Sequence, residues 1–357
     1  MLLDPTVSAV ELTRAICDIP SVSGDENALA DAIEAVVAPL PHLEVIRHGN
    51  TVVARTNLGR AQRVVIAGHI DTVPINDNVP TRFVDIDGVA HLWGRGTVDM
   101  KGGVAVQLKL AVELVGPAVD ITWMWYDNEE VAASLNGLRL LSIDRPDLFA
   151  ADFAILGEPS DGQVEGGCNG TLRAIVRTHG VRAHSARAWI GENAIHAAAP
   201  ILRRLAEYRA KEVHVEGLAY RESMSAVRIS GGVAGNVIPD LCEVEVNYRF
   251  APNKDAAAAE THLRGVLEGF DVEITDAADG ARPGLDAPIA QQFVAAVGAV
   301  PRPKYGWTDV ARFSALGIPA VNYGPGDPHL AHHDEERVPL AQIEAVEQGL
   351  RAWLTAQ

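Results

Sequence analysis

The sequence predicts an α/β protein of two domains, with a smaller ferredoxin-like domain of βαββαβ order inserted into a larger one. Three observations predict it. Short apolar runs at Val64–Ala67, Ile121–Tyr126 and Phe153–Leu156 alternate with helical stretches and run into a His or a carboxylate, as strands buried in a parallel sheet do. Residues 242–250 instead alternate, with Cys, Val, Val, Tyr and Phe on one face and Glu, Glu, Asn and Arg on the other, as in a half-exposed antiparallel strand. After about residue 282 the first pattern returns, and 357 residues exceed what one core usually holds.

Composition narrows the class. The chain is 48% hydrophobic, enough for a substantial core, and its net charge of −17 argues against nucleic acid or an anionic membrane as partner. Glu11, Arg14 and Asp18 interrupt any secretory apolar segment in residues 1–20, and no apolar run approaches the ~20 residues of a membrane span. Cys17, Cys168 and Cys242 are odd in number and scattered, so no disulfide framework is implied. A soluble cytoplasmic protein is the expectation.

In chain order, residues 4–18 read as a helix with Asp4 as cap and Pro5 at its first position. Pro20 stops it, and Ser23 to Glu26 reads as a capping box for a helix buried through Leu29, Ile33, Val36 and Val37. Strands are expected at 44–47 and 51–55, then at Val64. The glycine-rich WGRGTVDMKGG (93–103) precedes a helix striped by Val104, Leu108, Ala111 and Val115. In the insert, strands are expected at 172–178, 226–230, 242–250 and 272–274, with helices at 193–209 and 256–267. The glycine-rich 166–170 and residues 279–284 mark its edges, giving 1–171 and 282–357 as one domain and 172–281 as the other. A helix at 289–299, a strand at 320–323 and a helix striped by Ile343, Val346, Leu350 and Trp353 close the chain.

Chemistry gathers at the strand ends. His69 and Asp71 follow the Val64 strand with one residue between them, so period-two geometry turns both the same way at the edge where open α/β sheets hold ligands. The pair suits a zinc ligand and the acid that fixes its tautomer; a turn-capping His beside an ordinary Asp fits equally well. Asp99 could bridge two metals or merely cap a helix. Glu129 and Glu130 point in different directions, so one can ligate while the other faces a water, or both can form a solvated turn. Glu158 follows the third strand, and His329, His332 and His333 crowd the loop after the last. Convergence on one sheet edge favours metal ligation.

The ordered set AGHIDTVP, GRGTVDMKGG, Glu129-Glu130, GEP, NVIP and HHDEERV resembles the co-catalytic zinc family of aminoacylases, carboxypeptidases and deacylases, over nearly the whole chain. The resemblance implies a mixed-sheet zinc-peptidase-like domain whose insert serves as lid and homodimer interface. It implies two zinc ions per chain, replaceable by cobalt, with His69 and Glu158 on one, Glu130 and His332 on the other, and Asp99 bridging. Asp71 would orient His69, Glu129 would be the general base, and His184 would reach the partner subunit's site to stabilise an oxyanion. An N-acyl amino acid would be the substrate, its amide hydrolysed with Glu129 moving the proton. Arg249, on the polar face of the 242–250 strand, would clamp an acyl carboxylate, with Asn236 and Thr308 as further substrate contacts. Asn128, Cys168 and Asn169 depart from residues common in the family. The alternative readings are an acetylornithine deacetylase, an aminoacylase or a glutamate-releasing carboxypeptidase of the same family, or a catalytically inactive metal-binding protein.

Overall fold

The computed structural model describes residues 3–356. Its chain divides into two compact units, Met1–Gly166 with Pro283–Arg302 and Arg312–Gln357, and Gly167–Arg282 with Pro303–Ala311.

The first unit is α/β and carries a mixed eight-stranded sheet in the order Glu44–His48, Thr51–Arg55, Asp120–Tyr126, Arg63–His69, Phe153–Leu156, Ala320–Asn322, Glu165–Gly166 and Arg302–Pro303. The four strands from Asp120–Tyr126 to Ala320–Asn322 run parallel, and the first two and Glu165–Gly166 pair antiparallel. Register places His69 opposite Tyr126 and Ala67 opposite both Met124 and Leu156. The segments after each central strand therefore leave from one edge, the carboxyl edge where ligands bind in such sheets. Val64, Ile66, Trp123 and Ile155 face the main core; their alternates Val65, Met124 and Ala154 are equally buried. Both sheet faces are thus covered, which is why these strands read as unbroken apolar runs.

Helix Lys101–Glu113 was expected to bury one stripe. It is buried from Lys101 to Ala111 on every side, while Val115 lies beyond its end and is exposed. It packs on the Arg63–His69 strand beneath helices Ala9–Cys17, Asn27–Val37 and Leu340–Thr355, and an all-round buried helix shows no amphipathic stripe. Gly103 makes its seating possible, since a Cβ there would lie 2.2 Å from the Gly157 carbonyl oxygen, at the turn that presents Glu158.

Two local expectations are corrected. The first helix is Ala9–Cys17, capped by Ser8, whose hydroxyl accepts the Glu11 N–H at 3.2 Å. Asp4 is instead spent on an Asx-type turn with the N–H and hydroxyl of Thr6. The capping box at Ser23–Glu26 does not form. Helix Asn27–Val37 has no side-chain cap, because Ser23 donates its hydroxyl to Asp71 Oδ2 at 2.7 Å and Glu26 accepts the Gly24 N–H.

The second unit has a four-stranded antiparallel sheet in the order Ser223–Gly231, Leu241–Phe250, Gly170–His179 and Asp271–Ala278. Helices Ala194–Ala197, Ala199–Glu207 and Ala256–Val266 complete the βαββαβ order of a ferredoxin-like domain. The helix expected at 193–209 is broken at Ala198, just before Pro200, which lacks an N–H to continue the ladder. Cys242, Val244, Val246, Tyr248 and Phe250 are buried and the intervening residues are not, in the alternation expected. The boundaries differ from those expected. Residues 167–171 and 303–311 belong to this unit: the Asn169 N–H donates to the Lys304 carbonyl, Cys168 Sγ approaches the Thr308 carbonyl at 3.7 Å, and the Trp307 indole donates to the Asp279 carbonyl. All three cysteines are free and buried. Among the described residues no helix is long and apolar enough to cross a membrane.

Candidate metal centre

At the carboxyl edge of the first unit's sheet, the strand ends bring together the side chains that the sequence singled out there. One ligand atom each from His69, Asp99 and Glu158 lie within 4.8 Å of one another, and so do atoms from Asp99, Glu130 and His332. Asp99 is common to both sets. A third set joins His69, Glu129 and Glu130.

His69 is buried and held from both sides. Its Nδ1 lies 3.0 Å from the Asp71 carbonyl oxygen, an acceptor only, and 3.4 Å from the Asp71 carboxylate. Nδ1 therefore carries the proton, and Nε2, which lies 3.1 Å from Asp99 Oδ1, is the nitrogen a metal would take. Burial opposes charge on this ring, yet hydrogen bonds to Asp71 and Asp99 hold its pKa well above the usual histidine value. His332 stands on left-handed backbone with φ 64°, its Nε2 2.9 Å from Glu130 Oε1 and 3.4 Å from Asp99 Oδ2. Its hydrogen bonds to Asp99 and Glu130 push its pKa up to about 10. Burial would raise the Asp99 pKa, but the bonds from His332 and His69 hold it far below the carboxylate range.

Asp71 does more than the orienting role expected of it. Its carboxylate accepts the N–H of Glu129 at 3.0 Å and of Glu130 at 3.1 Å. Asn128 makes this possible by taking a φ of 58°, a left-handed conformation that Asn tolerates better than most residues, while its amide donates to Asp127 Oδ2 at 2.7 Å.

The donor set fits a pair of divalent cations. It holds imidazole nitrogens and carboxylate oxygens and no thiolate, a combination suited to zinc, cobalt or manganese. Asp99, Glu129, Glu130 and Glu158 crowd four carboxylates around two imidazoles, and the upward shifts of both rings register the want of positive charge.

The remaining candidates lie in the second unit. Exposed His184 pairs with Val237 across a short antiparallel bridge, and the Ser185 N–H donates to the Asn236 carbonyl, so His184 and Asn236 are neighbours. Arg249 stands half-buried on the sheet face opposite the helices, its Nε donating to Asn247 Oδ1 at 3.1 Å. Burial and the neighbouring Arg173 both lower its pKa. Thr308 is buried in the 303–311 segment. Sequence reasoning missed the parts that Ser23, Arg173 and Glu336 play in these arrangements; each acts through partners distant in sequence, which neither the capping-box pattern at Ser23 nor the HHDEERV segment around Glu336 reveals.

Comparison with known proteins places these sites in a family context. The sequence profile of peptidase family M20/M25/M40 matches residues 65–356. The chain is 52% identical to a Mycobacterium tuberculosis protein provisionally named succinyl-diaminopimelate desuccinylase, over 99% of each chain. It is 48% identical to the succinyl-diaminopimelate desuccinylase of Corynebacterium glutamicum, over 99% of this chain and 97% of that one. A tripeptidase from Staphylococcus aureus shares the fold, with a TM-score of 0.79 at 19% identity over 99% of both chains.

Proposed function

The chain belongs to peptidase family M20/M25/M40, and from that premise we propose that it is a two-metal amidohydrolase cleaving N-succinyl-LL-2,6-diaminopimelate to succinate and LL-2,6-diaminopimelate, a cytoplasmic step of diaminopimelate and lysine biosynthesis. The observation that carries the substrate is the full-length likeness to the two desuccinylases.

In this reading His69 and Glu158 would hold one zinc, Glu130 and His332 the other, and Asp99 would serve both; cobalt could replace zinc. The two ligand sets that share Asp99 support it. Bound metals would acidify a water and polarise the substrate's amide carbonyl. Glu129 takes a proton from the attacking water and passes it to the departing amine. Its carboxylate lies near His69 and Glu130 but stands outside both sets that contain Asp99, which supports a base rather than a bridging ligand. Asp71 holds Glu129 by its backbone and His69 by its ring, so the base and one metal ligand share an anchor.

Arg249, Asn236 and Thr308 are assigned to substrate binding. Arg249 has a like-charged neighbour in Arg173, only partly offset by Asp276, and the buried Thr171 hydroxyl opposite it on the same sheet face has no hydrogen-bond partner. Such a face suits a carboxylate, which a succinyl group carries. His184 is assigned to a second copy of the chain in a homodimer. Edge strand Ser223–Gly231 supports that assembly: Val227 is 58% and Ile229 49% exposed, and among the described residues its outer backbone edge has no strand beside it.

The test is a panel assay of zinc-loaded protein on N-succinyl-LL-diaminopimelate, N-acetylornithine, N-acetyl amino acids and glutamate-terminated peptides. The succinyl substrate should lead in kcat/KM by about 10²-fold or more. Preference for another member reassigns the substrate. Bound metal with no hydrolysis of any member would mark an inactive scaffold.

A further inference from the structure

Glu336 carries no expected role, and unlike its exposed neighbours Asp334 and Glu335 in the HHDEERV segment it is fully buried. Its Oε1 accepts the backbone N–H groups of Val98 at 2.9 Å and Asp99 at 3.0 Å, and its Oε2 accepts from Arg95 Nη1 at 2.9 Å. Arg95 also donates to the His333 carbonyl at 3.3 Å, and the Gly94 N–H donates to the carbonyl of Glu336 itself at 2.9 Å. The turn 94–99 and the loop 333–336 are therefore stitched together around one buried carboxylate. The first ends in Asp99, and the second begins one residue after His332. Asp99 in turn reaches His69 Nε2 with one oxygen and His332 Nε2 with the other.

We propose that Glu336 is a positioning residue that locks the Asp99 turn to the His332 loop and thereby sets the affinity of the metal pair. The inference rests on the proposed two-metal reading of this site. The physical reason is the geometry of a shared ligand. A carboxylate common to two metal sets must present both oxygens at fixed angles, so a tilt of its backbone disturbs both sets at once. Backbone N–H groups held by a charged acceptor resist that tilt more strongly than neutral hydrogen bonds do. His332, on an exposed loop in left-handed backbone, is tied to the Asp99 turn through Glu336, whose carboxylate takes the Asp99 N–H and whose carbonyl takes the Gly94 N–H.

The experiment compares the metal-binding isotherms of wild-type protein, Glu336→Gln and Arg95→Met, using zinc in competition with a chromophoric chelator, alongside the melting temperature of each metal-free protein. Glu336→Gln removes the charge and sets an amide donor against either Arg95 or the two N–H groups. Arg95→Met breaks the buried pair but leaves Glu336 free to accept from Val98 and Asp99. Both variants should melt lower. Only Glu336→Gln should lose metal affinity, by about 10–100-fold, as when a group orienting a metal ligand is removed. Its turnover should recover in part as zinc is raised. Should Glu336→Gln fail to fold, Glu336→Asp, which keeps the charge but cannot span both partners, should show the same affinity loss. Affinity unchanged in the Glu336 variants, or lost equally in Arg95→Met, overturns the inference. A wild-type protein that binds no pair of metals overturns the underlying reading instead, and the first isotherm separates the two failures.

Discussion

The Asp71 carboxylate accepts the backbone N–H of Glu129 at 3.0 Å, so the expected general base is held in place through its main chain. The same carboxylate takes the Glu130 N–H and the Ser23 hydroxyl, and lies 3.4 Å from His69 Nδ1. Burial would raise its pKa, but His69 and these donors hold it below the usual carboxylate value, so it remains an anion able to accept from all of them. One buried charge thus ties two parallel strand ends, those after His69 and after Tyr126.

Asp71→Asn should therefore damage two functions together. The amide would present a donor where four donors now converge, loosening both the His69 ring and the Glu129 turn. We expect zinc affinity or turnover to fall by about 10–100-fold. Near-wild-type values for both would show that the carboxylate's charge is not what holds the site.

The adjacent glutamates should separate cleanly. Glu129→Gln should retain metal yet lose about 10²–10⁴ in kcat, the usual contribution of a positioned base. Glu130→Gln should weaken one metal, because Glu130 Oε1 is the oxygen beside His332 Nε2. Metal content and kcat of each variant check this, and the opposite pattern would mean that the two roles are exchanged.

Metal-free protein should show a pH-dependent stability traceable to His332. Its folded pKa is pushed up to about 10 by hydrogen bonds to Asp99 and Glu130, above the ~6.5 of an unfolded histidine. A group raised on folding stabilises most below its unfolded pKa and loses that contribution as pH rises through the folded one. The melting temperature of chelator-treated protein should therefore decline between about pH 6.5 and 10 by more than that of His332→Asn. Because a metal takes the neutral ring, zinc binding near neutral pH should also release protons, readable by calorimetry in buffers of different ionisation enthalpy. Parallel pH profiles for the two proteins would remove His332 as the cause.

Much of this arrangement was legible in the sequence because its signals are local. Apolar runs ending in His69, Glu129-Glu130 and Glu158 declare buried parallel strands and their functional edge, and the alternation at 242–250 declares a half-exposed one. The unread parts depend on distant partners. Ser23 looks like a helix cap until Asp71, far along the chain, takes its hydroxyl. Glu336 looks like one more surface acid in an acidic run until the Asp99 turn folds over it. The 303–311 segment follows strand-and-helix residues of the first unit in sequence, yet Asn169 and Asp279 bind it into the second.

The last prediction concerns His184. Its Nδ1 accepts the Ala186 N–H at 3.0 Å, so the neutral ring carries its proton on Nε2, the tautomer that can donate to a developing oxyanion. The ring is exposed, on a segment that runs on to Trp189, which is 79% exposed. An outward donor beside exposed apolar surface suits a group that completes a site on a second copy, and the unpaired Ser223–Gly231 edge offers a way to hold that copy. His184→Ala should then cost about 10²–10³ in kcat, as loss of one oxyanion donor does, with little change in metal content. Complementation distinguishes this from a role within one chain. His184→Ala and Glu129→Gln, each nearly inactive alone, are co-expressed with different tags and the mixed dimer is isolated. If His184 acts across the dimer, one of its two sites combines an intact Glu129 with an intact His184 from the other chain, and up to about half of wild-type activity should return. A verified mixed dimer as inactive as its parents would place His184 outside the partner's site.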